Sequence, residues 1–331
     1  MRHSRFLFIG VATSAALLLS GCAAAATPAA TPAESPAASA SYPVTVENCG
    51  TNLTVTKAPE RIVSIKSSAT ELLLALGLGD RIVGSAFLDG PLPSELATAG
   101  ADLNVVSDFL PGQEVVLGLN PDFIYGGWES NFSADGVGER DALTALGVGT
   151  YVSPAACKGD FMPNPLTFDS VFTEIEEAGA IFGVESAAAK LVSTLNDDLA
   201  SLTPSTAGTT TALWYSSGTT TPYVGAGIGS PEMIMDAAGL TNIFADVRDT
   251  WTSVGWESII EANPSVIVLV DATWNTAASK IAHLESDPAT QVLDAVKNQR
   301  YIILPFASTE AGIRNVEAAS STITQLADLN E

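Results

Sequence analysis

The chain has 331 residues, with 14 Lys and Arg against 37 Asp and Glu, and its formal net charge is −23 at pH 7. This acidic charge excludes sequence-independent binding of nucleic acid, which depends on basic surfaces. Apolar residues make up 47 % of the chain and charged residues 15 %, a composition typical of a folded protein with a buried core and unlike that of a disordered chain.

The N-terminus predicts export. Arg2 and Arg5 precede an apolar stretch over residues 6–19, and the tetrapeptide Leu-Ser-Gly-Cys ends at Cys22. This tetrapeptide resembles the end of a bacterial lipoprotein signal, and the resemblance implies cleavage before Cys22 and lipidation of its sulfur. An ordinary secretory signal that happens to contain a cysteine is the alternative. We therefore expect residues 1–21 to be a signal peptide and the mature protein to lie outside the cytoplasm, held at the membrane by lipid.

A tether and two lobes are predicted to follow. Residues 22–41 are rich in Ala, Pro, Ser and Thr and show no hydrophobic periodicity, which indicates a linker. The remaining 290 or so residues reach the size at which one hydrophobic core gives way to two. We expect an N-terminal lobe over 42–166, a helical bridge over 167–203 and a C-terminal lobe over 204–331.

Short apolar strands alternate with helix-compatible stretches in both halves, which predicts an α/β fold with mostly parallel sheets. The predicted strands are Arg61–Lys66, Arg81–Ala86, Asp122–Gly126, Val148–Ser153, Thr211–Tyr215, Val266–Val270 and Tyr301–Phe306. Ser68 is placed as the N-cap of a helix over Ala69–Leu76. Apolar residues recur at helical spacing from Phe168 to Leu202, on both sides of Gly183. This spacing predicts long helices that join the lobes.

The two halves contain a similar segment. Gln113–Ile124 and Trp256–Ile267 each read as a helix that ends at Asn-Pro and leads into a strand. A common structural motif could produce this match by chance. If the match is a true repeat, the lobes are pseudo-symmetric and a ligand cleft lies between them.

Several motifs resemble one family. Pro59–Ile65, Thr70–Gly77 and Asp80–Gly84, together with the repeated segment, are similar to the cobalamin and iron-siderophore class of solute-binding proteins of ABC importers. The resemblance implies two α/β lobes bridged by a stiff helix, with a small hinge motion, that deliver one ligand to a membrane permease. We expect a monomer without catalysis of its own, because no enzymatic motif is found in the sequence. The resemblance also implies that Glu114 and Glu257 dock onto an ABC permease and its ATPase. Stabilisation of a helix dipole is the alternative role for these two glutamates.

The carboxyl ends of parallel strands are where ligands bind in open α/β sheets. Three cations follow predicted strands, namely Lys66, Lys158 and Arg314, and tryptophans follow others, so we expect local positive charge and stacking on a flat ligand. Burial in the core is the alternative for each tryptophan. The expected ligand-binding residues are Lys66, Ser67, Ser68, Trp128, Asn131, Lys158, Trp214, Tyr215, Tyr223, Trp274 and Arg314. The glycine-rich turn Gly225–Ser230 could also present backbone N–H groups to an anion.

The identity of the ligand follows only from resemblance. The segments Trp128–Asp135, Ala155–Lys158 and Trp251–Trp256 look most like the subgroup assigned to uptake of the deazaflavin precursor of coenzyme F-420. That resemblance implies a planar, anionic ligand, and ferric siderophores or cobalamin are the alternatives. An enzyme or a ligand sensor on the same fold is the alternative function. We expect no cofactor and no metal site, since His283 is the single histidine after the signal.

Cys49 and Cys157 are the only cysteines after Cys22. Outside the cytoplasm such a pair more often forms a disulfide than stays reduced. We expect this bond to have a structural role and to attach the N-terminal segment to the first lobe.

Overall fold

The computed structural model describes residues 41–204 and 210–329. The predicted signal peptide, Cys22 and the tether as far as residue 40 lie outside the described residues. In the described part, no helix is both long and apolar enough to cross a membrane.

The first lobe is built on a sheet of five parallel strands, in the order β5-β4-β3-β6-β7, with a separate antiparallel hairpin, β1-β2, at its start. Its elements are β1 (Val44–Asn48), β2 (Thr51–Val55), β3 (Ile62–Ile65), α1 (Ser67–Ala75), β4 (Ile82–Ala86), β5 (Val105–Ser107), α2 (Gln113–Gly118), β6 (Phe123–Gly126), α3 (Arg140–Ala145) and β7 (Gly149–Val152). The β3 strand is buried at every residue because it lies in the middle of the sheet with both faces covered.

Two helices, α4 (Phe168–Phe182) and α5 (Glu185–Ser201), connect the lobes. The apolar side of α4, which includes Phe172 and Ile175, packs into the core of the first lobe. The bridge is broken at Gly183, which adopts a left-handed conformation with φ of 70° and ends α4.

The second lobe contains a mixed sheet in the order β11-β9-β8-β12-β13, with the short β10 paired to β8. Its elements are β8 (Thr211–Ser217), β9 (Tyr223–Gly225), α6 (Ser230–Ala237), β10 (Thr241–Asn242), β11 (Trp251–Ser253), α7 (Trp256–Ala262), β12 (Val266–Asp271), α8 (Ala277–Ser286), α9 (Asp294–Lys297), β13 (Tyr301–Pro305), α10 (Phe306–Thr309) and α11 (Asn315–Asp328). Strands β8, β12 and β13 run parallel, whereas β9 and β11 are antiparallel to their neighbours.

The predicted α/β architecture with two pseudo-symmetric lobes is confirmed. The two copies of the repeat form the same unit, since α2 leads into β6 in one lobe and α7 leads into β12 in the other. Asn120 and Asn263 both have positive φ, 49° and 42°, and so reverse the chain between helix and strand. Asparagine tolerates this left-handed conformation better than most residues do, and the following proline prevents the helix from continuing.

Other expectations about local structure were wrong. Ser68 does not cap α1, because the helix begins at Ser67 and Lys66 occupies the N-cap position without a side-chain cap bond. The antiparallel β1-β2 hairpin and strands β9 and β11 were not predicted. Every second residue of β1 is exposed, and β9 and β11 have only three residues each, so none of them carries a strong apolar run.

A disulfide joins Cys49, in the turn of the hairpin, to Cys157, after β7. The Asn48 side chain reinforces this attachment, because it accepts a hydrogen bond from the Val152 backbone N–H and donates one to the Val152 carbonyl, both at 2.8 Å. Arg140 donates to the Asn48 backbone carbonyl at 2.7 Å. The N-terminal segment is therefore fixed to the edge of the first sheet.

Replacing both cysteines by serine is expected to lower stability without preventing folding. The sequence separation of 108 residues corresponds to a loop whose closure stabilises the fold by about 5 kcal/mol in the chain-entropy model. Thermal unfolding of the double variant, Cys49→Ser with Cys157→Ser, should therefore show a lower melting temperature. A thiol reductant should lower the melting temperature of the wild type in the same way and leave the double variant unchanged. Equal melting temperatures of oxidised wild type and variant would contradict the structural role.

Candidate functional site

A cleft of about 510 Å³ lies between the lobes, at the carboxyl ends of the strands of both sheets. The first lobe contributes the segments that follow β3, β6 and β7. The second lobe contributes the end of β8, residues in and beside β9 and β11, and the segments that follow β12 and β13. The lining residues are Ser68, Gly127, Trp128, Ser130, Ser153, Ala155, Ala156, Cys157, Lys158, Met162, Ser216, Ser217, Tyr223, Gly229, Ser230, Asp249, Thr250, Trp251, Trp274, Phe306, Glu310 and Ala311. This location is the one that the topology of open parallel sheets predicts.

The two walls of the cleft differ chemically. The first lobe contributes mainly small side chains and hydroxyls, together with Lys158, the single cationic side chain of the lining. The second lobe contributes most of the aromatic rings and both carboxylates, Asp249 and Glu310. The cleft therefore has a small, hydroxyl-bearing wall opposite an aromatic and acidic one.

Two aromatic pairs form the second-lobe wall. The rings of Tyr223 and Trp251 are stacked, with centroids 6.0 Å apart and planes at 15°. Trp274 packs edge-on against Phe306 at 5.9 Å, and 63 % of Trp274 remains exposed. Ring surfaces left open in a cleft are available to stack on a flat ligand.

A buried ammonium group lies behind Trp128 and Phe306, two rings that line the cleft, and we call this region the floor of the cleft. Lys66 is 1 % exposed and forms an ion pair with Asp89, which is also buried. Its Nζ lies 3.8 Å from the ring centroid of Trp128 and 4.2 Å from that of Phe87. It also lies 5.1 Å from the ring of Phe306, which belongs to the second lobe. The cation therefore contacts aromatic rings from both lobes.

A hydrogen bond also crosses the floor between the lobes. The indole N–H of Trp128 donates to a carboxylate oxygen of Glu310 at 2.6 Å. Desolvation raises the pKa of Glu310, the charge of Asp89 raises it further, and the charge of Lys66 and the Trp128 hydrogen bond oppose this shift. Burial raises the pKa of the Tyr223 hydroxyl, and the carboxylates of Asp249 and Glu310 add to this effect.

A second ion pair between the lobes lies beside the floor. Arg314, at the start of α11, lies 3.6 Å from Glu71 on α1, and its Nε donates to Glu317 at 3.2 Å. Glu71 is 1 % exposed, and desolvation raises its pKa to about 7, with the charge of Arg314 acting in the opposite direction. Each lobe therefore contributes one partner to a nearly dry ion pair.

Five of the predicted ligand residues line the cleft. These are Ser68, Trp128, Lys158, Tyr223 and Trp274. The remaining six lie elsewhere, for different physical reasons.

The prediction that Lys66 and Arg314 provide free positive charge was wrong. Each is held in an ion pair, Lys66 with Asp89 and Arg314 with Glu71. Ser67 is buried and its hydroxyl accepts a hydrogen bond from the Asp89 backbone N–H, so it supports the same cluster.

The prediction that Trp214 and Tyr215 stack on a ligand was also wrong. Both are at most 1 % exposed, and they point into opposite core layers of the second lobe. Strand β8 lies inside the sheet with packed cores on both faces, which leaves these two side chains no route to the cleft. Asn131 is 1 % exposed, and its side-chain oxygen accepts a hydrogen bond from the Trp128 backbone N–H at 3.0 Å. Asn131 therefore stabilises the loop that carries Trp128 and does not itself reach the cleft.

The glycine-rich turn does not offer the expected row of free N–H groups. The N–H groups of Ala226, Gly227 and Ile228 donate to the carbonyls of Thr250, Val247 and Asp249. Close packing explains the glycine at 227, because a Cβ there would lie 1.8 Å from the Ala245 carbonyl oxygen.

Phe306, Trp251, Asp249 and Glu310 were not among the expected ligand residues. Phe306 was assigned to the end of a predicted strand, whereas it begins α10 directly after β13. Glu310 follows the same strand, but the strand-end rule was applied to cations and aromatic residues alone. Trp251 begins β11, a short strand that was not predicted. Asp249 lies in a loop between two short elements, where the sequence offers no signal.

Glu114 and Glu257 occupy equivalent positions in the repeat. Each is an exposed acid in the first turn of its helix, α2 or α7. Neither has an ion-pair partner among residues 41–204 and 210–329.

A buried carboxyl group lies directly behind the cleft wall. The Tyr125 hydroxyl donates to Glu174 at 2.5 Å, and the hydroxyl of the lining residue Ser153 donates to its other oxygen at 3.0 Å. Desolvation raises the pKa of Glu174 to about 7, although both hydrogen bonds lower it. Since Glu174 lies on α4, this network connects the cleft wall to the bridge.

The raised pKa of Glu174 makes stability depend on pH. Between the unfolded value of 4.5 and about 7, the folded state binds the proton that the unfolded state has lost, so the free energy of unfolding falls as pH rises. The amide of the Glu174→Gln variant resembles the protonated acid, so the free energy of unfolding of this variant should match that of the wild type near pH 5. Near pH 8, urea unfolding should give the variant a free energy of unfolding up to about 3 kcal/mol higher than that of the wild type.

Glu176→Gln is the matched control for this prediction, because Glu176 is exposed on the same helix. This variant should show the pH dependence of the wild type. A Glu174→Gln variant whose pH dependence also equals that of the wild type would contradict the buried-proton account.

The described residues contain no group of three or more His, Cys, Asp or Glu side chains arranged to hold a metal ion. What the cleft offers is an enclosed surface with aromatic, hydroxyl and carboxylate groups, suited to binding a small molecule.

Known proteins share this architecture. An ABC transporter substrate-binding lipoprotein of Bacillus subtilis (strain 168), YvrC, is 28 % identical over 283 residues, covering 83 % of each chain. The vitamin B12-binding protein of Yersinia pestis (strain Pestoides F) is 29 % identical over 226 residues, covering 64 % of this chain and 70 % of that protein. A solved structure from Saccharomonospora viridis DSM 43017, described as an ABC-type Fe³⁺-hydroxamate transport system, superposes with a TM-score of 0.72 at 26 % identity, covering 86 % of this chain and 99 % of that one.

The family model described as periplasmic binding protein matches residues 62–307, which run from the start of β3 to α10. This range contains both sheets, the bridge and nearly all of the cleft lining. The chain therefore belongs to the periplasmic binding protein family.

Proposed function

We propose that the protein is the extracytoplasmic receptor of an ABC importer, anchored through a lipid on Cys22, and that its cleft captures one flat small molecule. The observation that carries this proposal is the aromatic wall at the strand ends, where Tyr223, Trp251 and Trp274 face an enclosed space between two lobes. The similarity to the lipoprotein YvrC, named as an ABC transporter substrate-binding protein, supports the role.

Three ligand classes fit this wall. The deazaflavin precursor of coenzyme F-420 has a flat ring system, and it remains the candidate that the sequence resemblance favours. Cobalamin is supported by the similarity to the Yersinia protein, and a ferric siderophore by the similarity to the Saccharomonospora structure. Each presents a large, partly apolar surface to aromatic side chains.

The expectation of an anionic ligand is not retained. It depended on three cations, and two of them, Lys66 and Arg314, are held in ion pairs. Lys158 is left opposite two carboxylates, which gives the lining an excess of negative charge.

Docking onto a permease is proposed to use one glutamate from each lobe. Glu114 and Glu257 occupy matching places in the two lobes, so one pseudo-symmetric partner with two basic sites could contact both. Because neither lines the cleft, docking and capture are assigned to separate surfaces.

Trp274→Ala is expected to weaken capture. The exposed ring contributes stacking surface to the ligand, and losing about 1.4 kcal/mol of such contact raises the dissociation constant about tenfold. The purified protein should be titrated by calorimetry with cyanocobalamin, a ferric trihydroxamate and the deazaflavin. The matched control is Phe109→Ala, which removes a ring that is 74 % exposed outside the cleft. Equal affinity of the Trp274→Ala variant and the wild type for the ligand that binds would contradict the site.

Glu114→Gln and Glu257→Gln are expected to separate capture from delivery. Both side chains are exposed, so the variants should bind ligand with the affinity of the wild type. Uptake of labelled ligand by cells should fall in each single variant and further in the double variant. Glu176→Gln again serves as the control for removal of one surface charge. Normal uptake by the double variant would contradict the docking role.

A further inference from the structure

The charges around the cleft floor do not balance. Lys66 is the ammonium group there, and it is paired directly with Asp89 of its own lobe. Glu310, from the other lobe, receives the indole N–H of Trp128, which is the only hydrogen bond to its side chain within the described residues. Two carboxylates therefore share one cation, and the carboxylate without an ion-pair partner is the one that lines the cleft.

The neighbouring charges do not correct this imbalance. Arg314 forms ion pairs with Glu71 and Glu317, so these three side chains together contain two acids and one base. Arg248 precedes Asp249 but donates to Asn164 and does not line the cleft. Lys158 is exposed on the opposite wall.

A second carboxylate, Asp249, lines the same cleft as Glu310 and Tyr223. One oxygen of Asp249 accepts the Thr250 backbone N–H at 2.7 Å. The charges of both acids add to the effect of burial in raising the pKa of the Tyr223 hydroxyl. Carboxylates beside aromatic ring faces are the combination that recognises a cation, since both the negative charge and the ring quadrupole attract it.

We propose that the cleft selects flat ligands that carry a positive charge, and that Glu310, assisted by Asp249, is the residue that recognises this charge. A partly desolvated carboxylate with no cationic partner is costly to bury, so a cationic ligand group stabilises both itself and the site. A ligand of this class places its ring system on Trp274 and Tyr223 and directs its charged group, such as a protonated amine, to Glu310. The inference rests on the proposed capture of flat molecules and adds the sign of the ligand charge.

Three flat tricyclic probes of different charge test this selectivity. 9-Aminoacridine is a cation at neutral pH, lumichrome is neutral, and acridine-9-carboxylate is an anion. Calorimetric titration of the full mature protein in moderate salt, which screens its overall negative charge, should show the cation binding at least about tenfold more tightly than the anion.

Amide variants assign the preference to particular residues. Glu310→Gln keeps an oxygen that can accept from Trp128, and Asp249→Asn keeps one for Thr250, so both changes remove charge while preserving the hydrogen bonds. Glu310→Gln should weaken the binding of 9-aminoacridine about tenfold or more, and Asp249→Asn should weaken it by a smaller factor. The affinity for lumichrome should change by less than about twofold in either variant. Glu261→Gln, which removes an equal charge from an exposed position on α7, should leave all three affinities unchanged.

The outcomes distinguish the two levels of the proposal. Probes that bind with no preference for charge, or a Glu310→Gln variant that weakens the neutral probe as much as the cation, would overturn the selectivity and leave the capture of flat ligands standing. Failure of all three probes to bind would reject the capture of flat molecules itself, and the selectivity with it.

Discussion

A single buried ammonium group organises the floor of the cleft. Lys66 neutralises Asp89 within the first lobe, and the rings of Trp128 and Phe306 surround it from both lobes. A charge removed from water must be compensated on every side, and breaking a buried pair of this kind typically costs about 3–5 kcal/mol. The Phe306 ring beside Lys66 and the hydrogen bond from Trp128 to Glu310 both join the lobes, so these contacts constrain the relative position of the lobes where the ligand would lie.

This constraint affects the chemistry of the cleft as well as its shape. Because Lys66 is committed to Asp89, it cannot act as a free cation for a ligand, and Glu310 remains without an ion-pair partner on the other side. The ion pair between Arg314 and Glu71 likewise removes a second cation from the cleft. An acidic lining thus follows from the way the lobes are joined, although basic residues lie close by in the sequence.

The repeat explains why a cleft exists. The parallel strands of the two sheets present their carboxyl ends to one another, and the loops at those ends do not have to form the backbone hydrogen bonds of a sheet. Helix, Asn-Pro and strand recur at Asn120 and Asn263, and the same turn conformation at both positions reproduces the same local geometry. The bridge of α4 and α5, broken at Gly183, connects the two halves.

The amino-acid sequence by itself determined the alternation of strands and helices, the repeat, and the strand-end rule that led to Trp128 and Trp274 as lining residues. These features depend on local patterns and on the direction of strands. Tertiary structure alone decided that Trp214 is buried and that Lys66 is paired. Contacts between segments far apart in the chain decide whether a strand lies inside a sheet and which carboxylate pairs with which cation. A local sequence pattern does not contain information about such contacts.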